Sequence, residues 1–133
     1  MKWLGLLLAA ALAVAAADIA LIQPSELASH LSAKPAIFHV GPNVLYRSKH
    51  IPASVYAGPG SKAEGLAMLK AAVEKEPRDR EIVIYCGCCP WERCPNIKPS
   101  MELLKEMGFT HVKAMYVAEN FKTNWVDKGY PVE

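Results

Sequence analysis

The 133-residue chain has no cysteine outside one nine-residue stretch, Cys86-Gly-Cys-Cys-Pro-Trp-Glu-Arg-Cys94. That absence excludes a disulfide framework between distant elements, so the fold has to be held by a hydrophobic core. A surplus of either charge is missing as well: the formal net charge is +2, or +1 without Lys2. No nucleic-acid or anionic-membrane partner is expected, and a small molecule or another protein is. After its apolar start the chain carries no internal repeat and no low-complexity tract. Its length leaves room for one core rather than two.

What is present begins with an export signal. Met1-Lys2 is a minimal positive start, and Trp3 to Ala17 is an apolar run ending in Ala15-Ala16-Ala17, a small-x-small cleavage site before Asp18. Fifteen apolar residues fall short of the roughly 20 needed to span a bilayer. Residues 1–17 are therefore expected to be a signal peptide and 18–133 a single exported domain, periplasmic or secreted, with no stable membrane insertion after cleavage. No cysteine closely follows the run, so a lipid anchor at a new N-terminus is not expected.

Past the leader, strand and helix patterns alternate. Pro24–Leu31 reads as a short helix with Leu27 and Leu31 on one face, and Ala36–Val40 as a strand followed by a polar loop through Gly41-Pro42-Asn43. Val55–Ala57 is a second short strand. Ser61-Lys-Ala-Glu64 has the form of a capping box opening a helix that buries Leu66, Leu69, Ala72 and Val73. The β-branched run Glu81–Tyr85 reads as a buried strand. Pro99 marks the first turn of a helix with Met101, Leu103, Leu104 and Met107 inward, ended by Gly108. Thr110–Tyr116 gives a last strand and Ala118–Lys128 a last helix. Such alternation predicts an α/β fold whose parallel sheet is covered on both faces.

The cysteines start where the buried strand ends. A thiol at a strand tip, in a loop leading to a helix, is placed where open α/β folds do their chemistry. Its thiolate is the nucleophile, so the surroundings have to bring its pKa below the free value of about 8.5. Backbone N–H groups of a curling loop and the start of the following helix can do so, and the same donors can hold an oxyanion. Arg93 and Lys98 are the nearest cations in sequence.

Several short motifs then fall into a familiar order. His50-Ile-Pro-Ala-Ser54 resembles the His-Ile-Pro-Gly-Ala signature of rhodanese-like domains, and Ile82-Val-Ile-Tyr-Cys86 resembles the strand that delivers their nucleophile. Gly108-Phe109 with Val112, and Trp125 with Gly129-Tyr-Pro-Val132, are similar to the family's later motifs. The resemblance covers essentially the whole mature chain. It implies a three-layer α/β/α sandwich with a central, mainly parallel sheet of about five strands. It also implies a sulfurtransferase: Cys86 takes a sulfane sulfur from a donor such as thiosulfate as a persulfide and passes it to a thiophilic acceptor. The substrate is then a small sulfur-containing anion or thiol, with a protein thiol as a further acceptor, and no cofactor is expected; Gly87, Trp91, Arg93 and Lys98 are the candidate substrate-binding residues by their place in the loop.

Departures from the family pattern leave alternatives open. The loop after Cys86 is longer than usual and holds Cys88, Cys89 and Cys94, which relay or resolve sulfur, or form a disulfide that shapes the loop. As thiolates they also suit a soft metal, Cu(I) or Zn(II), although zinc sites commonly join two separated ligand pairs; no metal is assigned. His39 and Gly41 stand where the family often has Asp and Arg, and Ala118-Glu119 replaces its Gly-Gly. His39 reads as a core imidazole, His50 as a backbone-holding turn residue, and His30 and His111 as peripheral. Trp125 reads as core and Trp91 as either pocket wall or partner contact. A thiol–disulfide redox protein and a non-catalytic metal- or protein-binding module are the rival readings. The spacing argues against phosphatase-type chemistry: the sixth residue after Cys86 is Glu92, not arginine.

Overall fold

Strand β4, Ile82–Tyr85, is buried along its whole length, because alternate residues feed opposite faces of a covered sheet. Ile82 and Ile84 enter one core with Phe38, Leu69, Val73 and Leu104. Val83 and Tyr85 enter the other with Leu27, Ile37, Ile51 and Trp125. These cores lie on the two faces of the sheet in a computed structural model that describes residues 19–133. The expected signal peptide, residues 1–17, lies outside the described residues.

Around β4 the strands β1 (Leu21–Ile22), β2 (Ala36–His39), β3 (Val55–Tyr56) and β5 (Val112–Met115) form one sheet in the order β1-β5-β4-β2-β3. Every pairing is parallel, so the expected mainly parallel sheet is wholly so. Helices α1 (Pro24–His30), α3 (Ala63–Val73) and α4 (Ile97–Glu106) cover it, while α2 (Asn43–Ser48) stands beyond the end of β2. Strand β3 lies on one side of β2 and β4 on the other. The chain therefore reverses direction across the sheet between β2 and β4, and a crevice opens at the carboxyl ends of these two strands. Register pairs His39 with Tyr85, which brings Gly41 and Cys86 together just beyond. Among the described residues no helix is long and apolar enough to cross a membrane.

Local expectations fail where side chains bond in ways that periodicity does not reveal. The polar loop through Asn43 opens directly into α2, whose N-cap is Pro42. The Ser61 capping box does not form: Lys62 is the N-cap of α3 with no side-chain cap, and the Ser61 N–H donates instead to Asn96 Oδ1 at 3.0 Å. Ala72 faces solvent rather than the core. The last helix shrinks to a π turn, Lys122–Val126. Asn124 Oδ1 accepts the N–H groups of Glu119 and Asn120, and Asn120 Oδ1 accepts that of Thr123. Those asparagine bonds hold the preceding segment out of a helix.

The His50–Ser54 turn behaves as a structural clamp. His50 donates from Nδ1 to Tyr46 O at 2.9 Å and exchanges backbone hydrogen bonds with Glu133. The Tyr85 hydroxyl accepts the Ile51 N–H at 3.1 Å and bonds Ser54 Oγ at 3.0 Å. Within this turn Ala53 has φ +64°, a left-handed conformation that a Cβ disfavours by roughly 1–2 kcal/mol. The family motif carries glycine at this place. Ala53→Gly is expected to stabilise the fold by about 0.5–1 kcal/mol, the relief being partly offset by a more flexible unfolded chain. Urea denaturation with an unchanged slope and a higher midpoint is the expected result.

Candidate active site

Cys86 follows directly on β4, and its sulfur fills the crevice between the ends of β2 and β4. The chain makes room for it at Gly41, where an added Cβ would lie 2.6 Å from Cys86 Sγ and 3.1 Å from His39 Cε1. A side chain at position 41 would collide with the Cys86 sulfur and backbone oxygen in this structure. Gly87 then turns the chain with φ +78°, close against Phe121.

Beyond Gly87 the loop doubles back on itself. Trp91–Arg93 form one short 3₁₀ turn held by the Trp91 N–H to Val117 O, and Cys94 packs into the core with Cys86. The four thiols converge. Cys86 and Cys88 Sγ are 3.2 Å apart, Cys88 and Cys89 2.9 Å, and Cys88 and Cys94 4.0 Å. No disulfide joins the four in this structure. Cys86 and Cys94 are buried, Cys89 is half-buried and Cys88 is exposed.

One functional side chain was not anticipated from sequence. Asn96, 4% exposed, donates from Nδ2 to Cys86 Sγ at 3.3 Å, accepts the Ser61 N–H on Oδ1, and receives the Ser100 hydroxyl on its backbone oxygen. It is also the N-cap of α4, so the positive end of that helix begins beside the sulfur. The only signal for it in sequence is its place between Cys94-Pro95 and a helix start.

These contacts divide charge unequally among the thiols. The Cys94 thiol is lowered to about 6, chiefly by the neighbouring Cys86 thiol and with help from the Asn96 backbone N–H. Cys86 is raised, first by its interaction with Cys94 and then by burial, against the opposing pull of the Cys88 backbone N–H and the Asn96 side chain. Cys89 is pushed up to about 12 by burial and by its sulfur neighbours. Of the buried pair, Cys94 is therefore the thiol that ionises more readily and Cys86 the one that holds its proton.

Above the cluster a cleft of about 670 Å³ is lined by His39, Leu45, Lys49, Cys88, Phe121 and Lys122, among others. Gly87 and Cys88 belong to its wall, whereas Cys86 lies beneath. His39 is indeed a satisfied core imidazole: its Nδ1 accepts the Gly41 N–H at 3.2 Å, and burial lowers it to about 4. His30 and His111 are exposed, and Trp125 is fully buried with its indole N–H on Pro131 O. Trp91 packs on Tyr116 at 6.1 Å rather than lining the cleft. Arg93 and Lys98 are exposed and stand outside the lining; the cleft's cations are Lys49 and Lys122, the latter paired with Asp127 at 3.1 Å.

The backbone as a whole is similar to several solved structures. The Alr3790 protein of Anabaena sp. superposes with a TM-score of 0.63 at 21% identity, over 84% of this chain and 90% of that one. A single-domain sulfurtransferase of Saccharomyces cerevisiae gives 0.61 at 15% identity, over 86% and 94%. A thiosulfate sulfurtransferase of Pseudomonas aeruginosa gives 0.62 at 20% identity, over 86% of this chain but 20% of that larger one. No curated protein sequence matches the chain. The model of the rhodanese-like domain matches residues 23–127, from the approach to α1 through the π turn, a span that includes β4, Cys86 and the whole cysteine loop. The chain thus belongs to the rhodanese-like domain family.

Proposed function

We propose that the protein is an exported sulfurtransferase that carries a sulfane sulfur on Cys86. The observation that carries this reading is the placement of the Cys86 sulfur. It stands at the end of the central strand, under a cleft, facing the Asn96 side-chain N–H and the Cys88 backbone N–H. Those donors stabilise sulfur that has gained negative charge, whether thiolate or persulfide.

The chemistry is a pair of displacements. Cys86 gives its proton to the Cys94 thiolate, and the resulting Cys86 thiolate attacks the sulfane sulfur of thiosulfate. The S–S bond of the donor breaks, sulfite leaves with the electron pair, and Cys86 holds a persulfide. A thiolate then attacks the outer sulfur, takes it, and returns Cys86 as thiolate. Cys88, exposed in the cleft wall and 3.2 Å from Cys86 Sγ, is the thiol placed to take that sulfur first and present it to an acceptor. Lys49 and Lys122 give the cleft a positive edge suited to an anionic donor.

The test is incubation of the reduced protein with thiosulfate, followed by intact mass and then by cyanide. Addition of one sulfur, removed by cyanide as thiocyanate, is expected. Turnover of a dithiol substrate without any sulfur addition would instead make it a thiol–disulfide redox protein. Export rests on residues 1–17; protein recovered from outside the cytoplasm is expected to have the mass of a chain starting at Asp18. A retained leader there would overturn the cleavage.

A further inference from the structure

The long loop does more than lengthen the path from β4 to α4: it folds three sulfurs onto one point. Cys86, Cys88 and Cys94 Sγ all lie within 4.8 Å of one another. Three thiolates around one ion in a plane, at a metal–sulfur distance of about 2.3 Å, stand about 4.0 Å apart. The separations of 3.2 Å for Cys86–Cys88 and 4.0 Å for Cys88–Cys94 are within small side-chain shifts of that triangle. We propose that Cys86, Cys88 and Cys94 form a three-thiolate site for Cu(I).

The donor set selects the ion. It contains sulfur alone, with no carboxylate or imidazole in the group, which disfavours hard, oxygen-seeking cations. Zinc in a closed site takes four ligands, and a fourth is not in position. Cys89 lies against Cys88 and beside Cys94 but is not within 4.8 Å of all three ligand sulfurs, and His39 Nδ1 is committed to the Gly41 N–H. A soft monovalent ion satisfied by three sulfurs avoids that deficit. The frame is also rigid where it needs to be. Cys86 and Cys94 are 3% and 7% exposed, while exposed Cys88 forms the entry side. Asn96 braces the buried Cys86 ligand with its side-chain N–H at 3.3 Å and, as N-cap of α4, sets the start of that helix beside the site. Such donors orient the sulfurs and offset the surplus negative charge of a three-thiolate complex.

Loading involves no change of oxidation state. Cu(I) enters as Cu(I), three Cu–S bonds form, and the protons still on the thiols leave to solvent. Because Cys86 is both ligand and sulfur carrier, a bound ion and a Cys86 persulfide exclude each other.

The experiment is an anaerobic titration of the reduced protein with Cu(I) in competition with bicinchoninate, read by the chelator's colour. X-ray absorption at the copper edge then gives the coordination. One ion per chain, with three sulfurs at about 2.3 Å, is expected. Cys88→Ser, at an exposed position that leaves the core intact, is expected to weaken binding by roughly a hundredfold or more. Cys89→Ser is expected to bind within a few-fold of the wild type. Two sulfurs in the absorption spectrum would overturn the site, as would a Cys88→Ser protein binding like the wild type or equal losses at Cys88 and Cys89. Circular dichroism of each variant separates loss of a ligand from loss of the fold.

Discussion

Cys86→Ser is expected to abolish sulfur loading from thiosulfate, a loss of at least roughly ten-thousandfold, as for removal of a nucleophile elsewhere. The substitution is nearly isosteric, and the introduced hydroxyl can still accept the Asn96 Nδ2–H, so the loop and core are expected to survive it. What disappears is a thiol that can pass its proton to Cys94 and form a stable bond to sulfur. Intact mass after thiosulfate treatment reads the outcome directly, with wild type gaining one sulfur and the variant none. Cys88→Ser makes an informative companion. It retains Cys86 and is expected to load, but to hand sulfur on more slowly, because the exposed thiol on the cleft wall is gone. Sulfur that still adds to Cys86→Ser, and maps to Cys88, would make Cys88 the primary nucleophile and the buried cysteine its support.

The fold was legible because the elements that build it are driven by burial. Ile82–Tyr85 is apolar on both faces, and a continuous β-branched run of that length has few other uses than a central parallel strand. Leu27, Leu69 and Leu104, the inward positions of three helices, are fully buried or nearly so. Cys86 at the strand tip follows from the same logic, since the chain beyond a central strand has to emerge at the crevice. What escaped reading is polar and local. Asn96 acts through three hydrogen bonds to partners up to 35 residues away, and no periodicity marks such a residue. Gly41 serves by leaving space, which only the position of the Cys86 sulfur explains. Arg93 and Lys98 are neighbours of the cysteines in sequence, yet the loop's reversal leaves them outside the cleft, and Lys49 and Lys122 arrive from distant segments. Nearness along the chain is a poor guide to charge around a site built at a crossover.

The loop extension also changes how the nucleophile is activated, and Cys94→Ala tests that. In the wild type Cys94 is lowered to about 6, so above that pH Cys94 is mostly thiolate and below it that charge is lost. Sulfur loading needs that charge, because the Cys94 thiolate accepts the Cys86 proton; the rate is expected to rise with pH through about 6 and then level off. The plateau is limited by how seldom the charge moves from Cys94 to Cys86, which burial and the neighbouring Cys94 both oppose. Removing Cys94 has two opposing effects. The proton acceptor is gone, so the rising limb moves up by roughly two units or more, towards or beyond the ordinary thiol range near 8.5. At pH 6 the variant is then expected to be the slower of the two. Yet Cys86 also loses the neighbour that kept it protonated, so at pH 9 and above its own thiolate accumulates and the variant matches or exceeds the wild type. The two pH profiles cross. A cysteine that merely packs the loop would lower the rate equally at every pH, so parallel profiles would remove Cys94 from the proton path and leave Asn96 and the Cys88 amide as the whole of the activating machinery.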